Sequence, residues 1–457
     1  MKRVYLVLAL LGLVVCLYWL PDGVNRLFAH PRLQPLRPDA GAVQRFFDML
    51  GVLVGLMIVL EITYRRWWSG RVFKSLPRTL LWAGCLTLLA ISGSWVYTVV
   101  RRMDAVYRFY KSGVGIEGFV FAADARLGHR GIPYATGAHV YRSLDKTLKR
   151  IPIQLDSLGF RTTSTPYPSH RADSLALFLG CSFTWGDYVA AEQTYPAYVA
   201  QGFHVRYLNT GTSAYGLAQM LQLAEELIPE KCPEVVFVQF SPWLADRARF
   251  VFFPMALGVM PYPYLCEGPN GPALQTPLFL SASYSQDSDF FKNSQPSLRD
   301  KLAFVRSIGL PMVAVDGLKH IWAEGKIKLG LIPRPVPDNA RVERFVYHRI
   351  AELCRQCGSR LVVVNLGMFS DKSDRETRLR ERYDRAWFGE VFDTQKYPQT
   401  TFVDADSALR AALHRSADYT QYVLWDKAGK DSVVFDLHPN PLAHRRIAET
   451  ILTTLRP

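Results

Sequence analysis

Three residues of this chain have the types and spacing to perform acyl chemistry together. Ser182 stands in "LFLGCSFTWGDY" (177–188), just past an apolar run and between Gly180 and Gly186. A serine hydroxyl is a poor nucleophile unless a base takes its proton. In hydrolytic triads that base is a histidine oriented by a carboxylate. Near the other end of the chain, "FDLHPNPLAHRRIAE" (435–449) holds Asp436 and His438, two residues apart. The pattern places both in the loop before a last helix that Asn440 can cap. His444 reads as a helix-surface residue rather than a second base. Singly, each group is ordinary: a turn serine, a surface histidine, a solvated aspartate. Only their conjunction points to catalysis.

Bringing such distant residues together requires a frame. Five short apolar runs rich in β-branched and aromatic residues supply strands: "SLALFLG" (174–180), "HVRYLNTG" (204–211), "EVVFVQF" (234–240), "RLVVVNLG" (360–367) and "TTFVDAD" (400–406). Between and after them, 214–229, 340–358 and 440–455 repeat apolar residues three and four apart, as amphipathic helices do. Strands alternating with helices predict a parallel sheet covered on both faces. Ligands then bind beyond the carboxyl ends of the strands, where Ser182 falls. Residues 101–173, with turn signals at "GHRGIPYATG" and "LDSLGFR", read as a neck and lead-in to an α/β domain spanning 174–457. Residues 245–337, rich in proline and aromatics, read as an insertion, either a lid or a packed decoration.

"GCSFTWG", "LNTGTSAYG" and "DLHPN" resemble the first, second and last blocks of the SGNH (GDSL-like) hydrolases. "LDSLGFR" resembles the lead-in of membrane-anchored members linked to bacterial glycan modification. The resemblance implies a three-layer α/β/α, flavodoxin-like fold over roughly 125–457. It implies Ser182 as nucleophile, His438 as general base and Asp436 as its orienting partner. It also implies an oxyanion hole built from the serine N–H, a second-block backbone N–H and an asparagine. The second-block position falls on Ala214, with Gly211 the other register. Three departures stand out. Cys181 replaces an aspartate that is outside the triad. The Asp–His spacing is one residue shorter than the commonest pattern. Trp243 falls where the asparagine should be, in "VQFSPWLAD" (238–246). Losing one oxyanion donor costs about 2.7–4 kcal/mol. Either Gln239 or Ser241 substitutes, or Trp243 itself donates or walls a pocket, or the activity is weak.

Composition points to a membrane. The 457 residues carry a net charge of +14 and are 49% hydrophobic, with a mean hydropathy of +0.02. Apolar stretches at 4–20, 46–64 and 79–100 approach or reach the length a spanning helix needs. Arg65, Arg66, Arg71, Lys74 and Arg78 crowd the second connection and argue that it is cytoplasmic. Three spans within 1–100 then put the rest of the chain outside, although Arg101, Arg102, Arg108 and Lys111 pull the other way. The basic residues form no nucleic-acid signature. Seven cysteines suggest no disulfide scaffold, and Cys354 and Cys357, a CxxC without partners, complete no zinc set.

The expected protein is therefore a multi-pass protein of the inner (plasma) membrane with an extracytoplasmic catalytic domain. It needs no metal or other cofactor. Its partners are the membrane, an acylated glycan or acyl donor, and other membrane proteins of a glycan assembly. Hydrolysis and acyl transfer share the triad, so both remain open. The alternative is a catalytically weak or silent SGNH-like domain that binds a glycan or organises an assembly.

Overall fold

In the computed structural model the chain divides into two compact units, Met1–Ala105 and Val106–Pro457. The structure describes residues 115–118, 120–143, 147–164, 171–255, 258–281, 316–367, 384–412, 419–428 and 431–456, all in the second unit. The three apolar stretches expected to span a membrane lie outside the described residues. Among the described residues no helix is long and apolar enough to cross one.

The lead-in carries more structure than its mixed sequence suggests. Strands β1 (Gly115–Glu117), β4 (Thr136–Arg142) and β5 (Leu148–Gln154) form an antiparallel sheet, and β2 (Phe121–Asp124) pairs with β3 (Gly128–Gly131). Charged residues in "LKRIPIQ" hide β5 from a reading based on apolar runs.

All five apolar runs lie in one parallel sheet: β6 (Arg171–Leu179), β7 (Val205–Asn209), β8 (Val235–Phe240), β13 (Arg360–Asn365) and β14 (Thr400–Asp404). Their lateral order is β14-β13-β8-β6-β7. In chain order that is 2-1-3-4-5, a doubly wound arrangement whose direction of winding reverses between β6 and β8. The central strands are apolar on both sides because both faces are covered. Phe178 of β6 stacks on Phe237 of β8 with ring centroids 4.5 Å apart.

The short helix α1 (Ser182–Trp185) follows β6, and α2 (Tyr195–Phe203) leads to β7. Helices α3 (Leu217–Lys231) and α4 (Pro242–Arg249) flank β8. The expected insertion begins inside α4. It continues as two hairpins, β9 (Phe252–Met255) with β10 (Gly258–Pro261) and β11 (Tyr264–Gly268) with β12 (Gly271–Gln275), and then helix α5 (Asp316–Lys328). Helix α6 (Asn339–Cys357) packs on α3 and α4 in one helix layer. Helix α7 (Arg385–Val391) precedes β14, and α8 (Ala405–Ala411) follows it. The terminal helix α9 (Pro441–Leu455) packs on α2 and α8 in the other layer.

Two sequence expectations change here. Asp436 and His438 are not in a loop. They lie on β16 (Asp431–Pro439), which pairs antiparallel with β15 (Val423–Ala428) through an irregular register. The proline after His438 and the helix cap at Asn440 make this segment read as a loop, although the apolar runs of "VLWDKA" and "DSVVFDLHP" pair as a hairpin. His444 is not on the surface. It is fully buried between α9 and α2, where Nδ1 accepts the Tyr195 N–H at 3.1 Å.

The structure gives the cysteines roles that the sequence left open. Cys232, capping α3, and Cys357, ending α6, form a disulfide with Cα atoms 5.2 Å apart. Cys354, the other half of the CxxC, is buried as a free thiol, and burial pushes its pKa up to about 12. The CxxC is therefore split between a cross-link and the core. A pairing across 125 residues leaves no trace in local spacing.

Candidate functional site

The switch point between β6 and β8 holds the serine turn. Cys181 is the extended N-cap of α1, and Ser182 is the first helical residue, 5% exposed. The turn is tight because Gly180 has no side chain: a Cβ there would run into Thr184 and the Gln239 amide oxygen. Gly186 closes α1 at φ 86°, a left-handed conformation that favours glycine. Its N–H donates to Ser182 O at 2.8 Å, and the Asp187 N–H reaches the same carbonyl at 3.2 Å.

Gln239, at the end of β8, holds this turn from beneath. Its amide oxygen accepts the Cys181 N–H at 3.0 Å and the Thr184 hydroxyl at 2.9 Å. Its amide nitrogen donates to Ser241 Oγ at 2.9 Å, and Ser241 in turn donates to Leu366 O. Both side chains are buried and engaged. They buttress the nucleophile turn rather than substitute as oxyanion donors.

Arg161, the last residue of "LDSLGFR", braces the turn from the other side. It is buried and donates to Trp185 O at 3.0 Å, to Gly186 O and to Val189 O at 2.6 Å. Burial lowers its pKa to about 10, against the opposing pull of Asp187. It stays charged at neutral pH.

β16 carries the histidine to the serine turn. The His438 ring meets Phe183, the residue after the serine, edge-on at 5.4 Å. His438 Nε2 lies 3.5 Å from Oδ2 of Asp187, and its side chain is 24% exposed. Asn440 fixes the end of the hairpin, accepting the Ala443 N–H at 3.0 Å as the cap of α9 and donating to Gln421 O and Val423 O. The backbone of Asp436 pairs with Leu424. Its side chain lies outside the described part of the structure.

Asp187 is the residue that sequence reasoning missed. It is buried, and Oδ1 accepts the Ser213 hydroxyl at 2.6 Å. His139 of β4 approaches the same oxygen at 3.9 Å. However, His139 Nε2 accepts the Trp185 indole N–H at 3.3 Å, so it is not a donor to the carboxylate. Burial first, then Arg161 and His438, hold the His139 pKa well below the usual value, and it stays neutral. The signal for Asp187 was present in "WGDY": a carboxylate directly after the turn glycine, one residue beyond the motif.

The second block separates its two registers. The Gly211 N–H donates to Asn209 Oδ1 at 3.2 Å, so it is engaged. A Cβ at Gly211 would also press on Trp185 N at 2.6 Å, so this glycine serves packing against α1. Ala214 adopts φ 70°, the left-handed conformation in which glycine is the usual residue. The carbonyl of the preceding residue, Ser213, meets His129 Nε2 at 3.1 Å. In a trans peptide the N–H points opposite the carbonyl, so His129 turns the Ala214 N–H to the other side of that peptide. Burial lowers the His129 pKa to about 4, keeping it neutral in this role.

Trp243, in the first turn of α4, packs edge-on against Phe183 with centroids 5.0 Å apart. Its indole N–H is shielded from solvent and has no hydrogen-bond partner among the described residues. Among the described residues no group of His, Cys, Asp and Glu could hold a metal ion.

Fold and site together define an α/β protein of 2-1-3-4-5 sheet order, with a serine, a histidine and a carboxylate gathered at its switch point. No protein-family model matches the chain, and no curated protein matches it in sequence. Solved structures match it loosely. One, classed as a lipolytic protein of the G-D-S-L family from Desulfitobacterium hafniense DCB-2, is 11% identical, with a TM-score of 0.32 over 62% of this chain and 99% of its own. The acetylxylan esterase Axe2 from Geobacillus stearothermophilus is 12% identical, with a TM-score of 0.30 over 63% of this chain and 96% of its own. TesA is 13% identical, with a TM-score of 0.31 over 62% and 99%. Similarities this loose carry no functional weight, and the reading below rests on the site.

Proposed function

We propose that the protein is an SGNH-like serine esterase or O-acyltransferase, membrane-anchored, acting on an extracytoplasmic glycan or lipid-linked sugar. The observation that carries this reading is the meeting of the serine turn and the histidine hairpin: Phe183 against the His438 ring, and Asp187 against its Nε2. In the reaction, Ser182 Oγ attacks the acyl carbonyl while His438 takes the serine proton. The backbone N–H groups of Ser182 and Ala214 receive the developing oxyanion. Collapse of the tetrahedral intermediate breaks the ester C–O bond, and His438 returns the proton to the departing alkoxide. Water or a sugar hydroxyl then gives its proton to His438 and attacks the acyl-serine. Collapse of this second tetrahedral intermediate breaks the bond between the acyl carbon and Ser182 Oγ, His438 returns the proton to Oγ, and the acid or new ester departs. Asp436 and Asp187 are the two carboxylates that stabilise the imidazolium formed in each half.

Two features support the placement outside the cytoplasm. The apolar stretches and basic connection near the N-terminus favour it, and so does the Cys232–Cys357 cross-link, because disulfides persist mainly in oxidising compartments. The second reading, a weak or silent domain, is favoured by one observation: Trp243 stands at the asparagine position, and neither Gln239 nor Ser241 replaces the lost donor.

A fluorophosphonate probe separates the two. The full-length protein is expected to label covalently and Ser182→Ala not to. Absence of labelling in the folded wild type would support the silent domain, and equal labelling of both would remove Ser182 as nucleophile.

A further inference from the structure

A cleft of about 450 Å³ opens beside the catalytic residues. One wall is the segment that follows Asp187: Tyr188, Val189, Ala190 and Gln193. Another is the end of the histidine hairpin, with Leu424, Asn440 and Pro441. The third comes from the lead-in sheet, with Tyr141 and Arg150. The cleft therefore touches both chain segments that carry the chemistry, although it holds neither Ser182 nor His438.

Tyr188 sits in this cleft under strain. Its φ is 59°, in the left-handed region, which is unusual for a bulky residue. Such a conformation is strained for a residue with a Cβ and persists only where the surroundings impose it. Here Arg161 holds the carbonyls on either side, at Gly186 and Val189. The result is a ring packed on His139 at 4.9 Å and meeting Tyr141 edge-on at 6.4 Å. Both tyrosines remain partly exposed. Arg150 uses Nε on Glu117 at 2.8 Å, and a guanidinium has five N–H donors. Gln193 is exposed and adds an amide.

We infer that this cleft is a sugar subsite, in which Tyr188 and Tyr141 present aromatic surface to the apolar face of a pyranose ring while Arg150 and Gln193 bond its hydroxyl or carboxylate groups. The inference rests on the proposed action at a glycan and assigns residues to hold it. A purely apolar acyl chain would make no use of the polar groups that Arg150, already paired with Glu117 through Nε, and Gln193 bring to the cleft. A small alcohol would not fill the cleft.

The test is made in full-length Ser182→Ala in detergent, so that binding is read without turnover. The probe is an array of neutral and uronic-acid oligosaccharides, followed by titration of the best of them. The parent is expected to bind at least one class, and added Tyr188→Ala to weaken it by about tenfold or more. Tyr188→Phe keeps the ring and should bind within about threefold. Tyr188→Gly relieves the positive φ, so it should melt no lower than Tyr188→Ala while losing the same affinity. That separates loss of the platform from loss of the fold. No binding to any class, or equal binding by Tyr188→Ala, overturns the subsite. Glycan binding by a protein whose wild type fails to label with fluorophosphonate would sink the esterase reading and leave the subsite standing.

Discussion

Oδ2 of Asp187 lies 3.5 Å from Nε2 of His438, which joins the serine turn to the histidine hairpin. The carboxylate is held by the Ser213 hydroxyl and lies in the field of the buried Arg161. His139 faces the same carboxylate but is neutral. An opposite charge within about 4–6 Å favours the charged imidazole. Asp187→Asn is therefore expected to move the acid limb of the pH–rate profile to lower pH by about one unit. Ester turnover at neutral pH should fall by roughly tenfold or more, since general-base catalysis contributes about 10²–10⁴. A pH–rate series on a small acetyl ester checks this. An unmoved acid limb with a lower melting temperature would make Asp187 a purely structural residue.

The serine turn depends on close approach at two glycines. At Gly180 an added methyl would meet Thr184 and Gln239, and at Gly211 it would meet Trp185 N at 2.6 Å and Thr184 Cβ at 2.7 Å. Neither neighbour can withdraw, because Thr184 bonds Tyr195 and Gln239 while its carbonyl accepts Asn209. Overpacking of this kind costs about 1–3 kcal/mol. Gly180→Ala and Gly211→Ala should each lower stability by that order in denaturant melts and displace Ser182 enough to abolish fluorophosphonate labelling. Gly389→Ala, in α7 with nothing among the described residues within 4 Å of an added Cβ, is the control. It should be neutral or more stable by up to about 1 kcal/mol.

Much of this frame was legible in sequence, and the limits have physical causes. The three central strands were visible because burial on both faces makes each a nearly continuous apolar run, whereas the edge strands β7 and β14 are only partly buried and showed as shorter β-branched and aromatic runs. Ser182 and His438 were visible because turn glycines and a helix cap surround them. Asp187, Arg161 and His129 were not visible as a group: Arg161 and His129 act through contacts made only when the lead-in folds against the sheet, and Asp187 through contacts with the Ser213 loop and the distant His438 hairpin. Ser213 bonds Asp187 through one atom and meets His129 through another, from a loop whose sequence shows neither. The positive φ of Ala214 and of Tyr188 is likewise imposed by tertiary contacts, since neither residue favours it.

Buried neutral histidines set the acid limit of the fold. Burial lowers His129 to about 4 and His444 to about 3 from 6.5. The folded state thus binds fewer protons than the unfolded chain as pH falls below 6.5. Stability is fully present above that pH and is lost on acidification through the window down to the folded values. Each such histidine contributes a slope of about 1.4 kcal/mol per pH unit near pH 5. His444→Gln should flatten the dependence of unfolding free energy on pH by about one proton, whatever its effect at pH 8. A slope identical to wild type between pH 4.5 and 6, an interval of roughly one and a half units in which the linkage acts, would show that His444 is charged in the folded protein.

Under the proposed esterase reading, Trp243 stands where an oxyanion-donating asparagine is expected. Its ring lies against Phe183, the residue after Ser182, and its N–H is closed off from solvent with no partner among the described residues. A donor that a water cannot reach is not aimed at an incoming oxyanion in this conformation, so the indole acts here as a wall. Replacing it by Trp243→Phe removes the N–H and keeps an aromatic face. The kcat on a small acetyl ester should then stay within about threefold, well short of the 10²–10³ that loss of an oxyanion donor costs. Trp243→Asn removes the face and supplies an amide. It should raise KM for an acylated oligosaccharide with little change in kcat on the small ester. If instead Trp243→Phe loses a hundredfold in kcat, about 2.7 kcal/mol, the indole N–H is the third donor, reached by a movement of α4 on substrate binding. A large gain in kcat for Trp243→Asn, with KM unchanged, would show that the site lacks a donor which an asparagine restores.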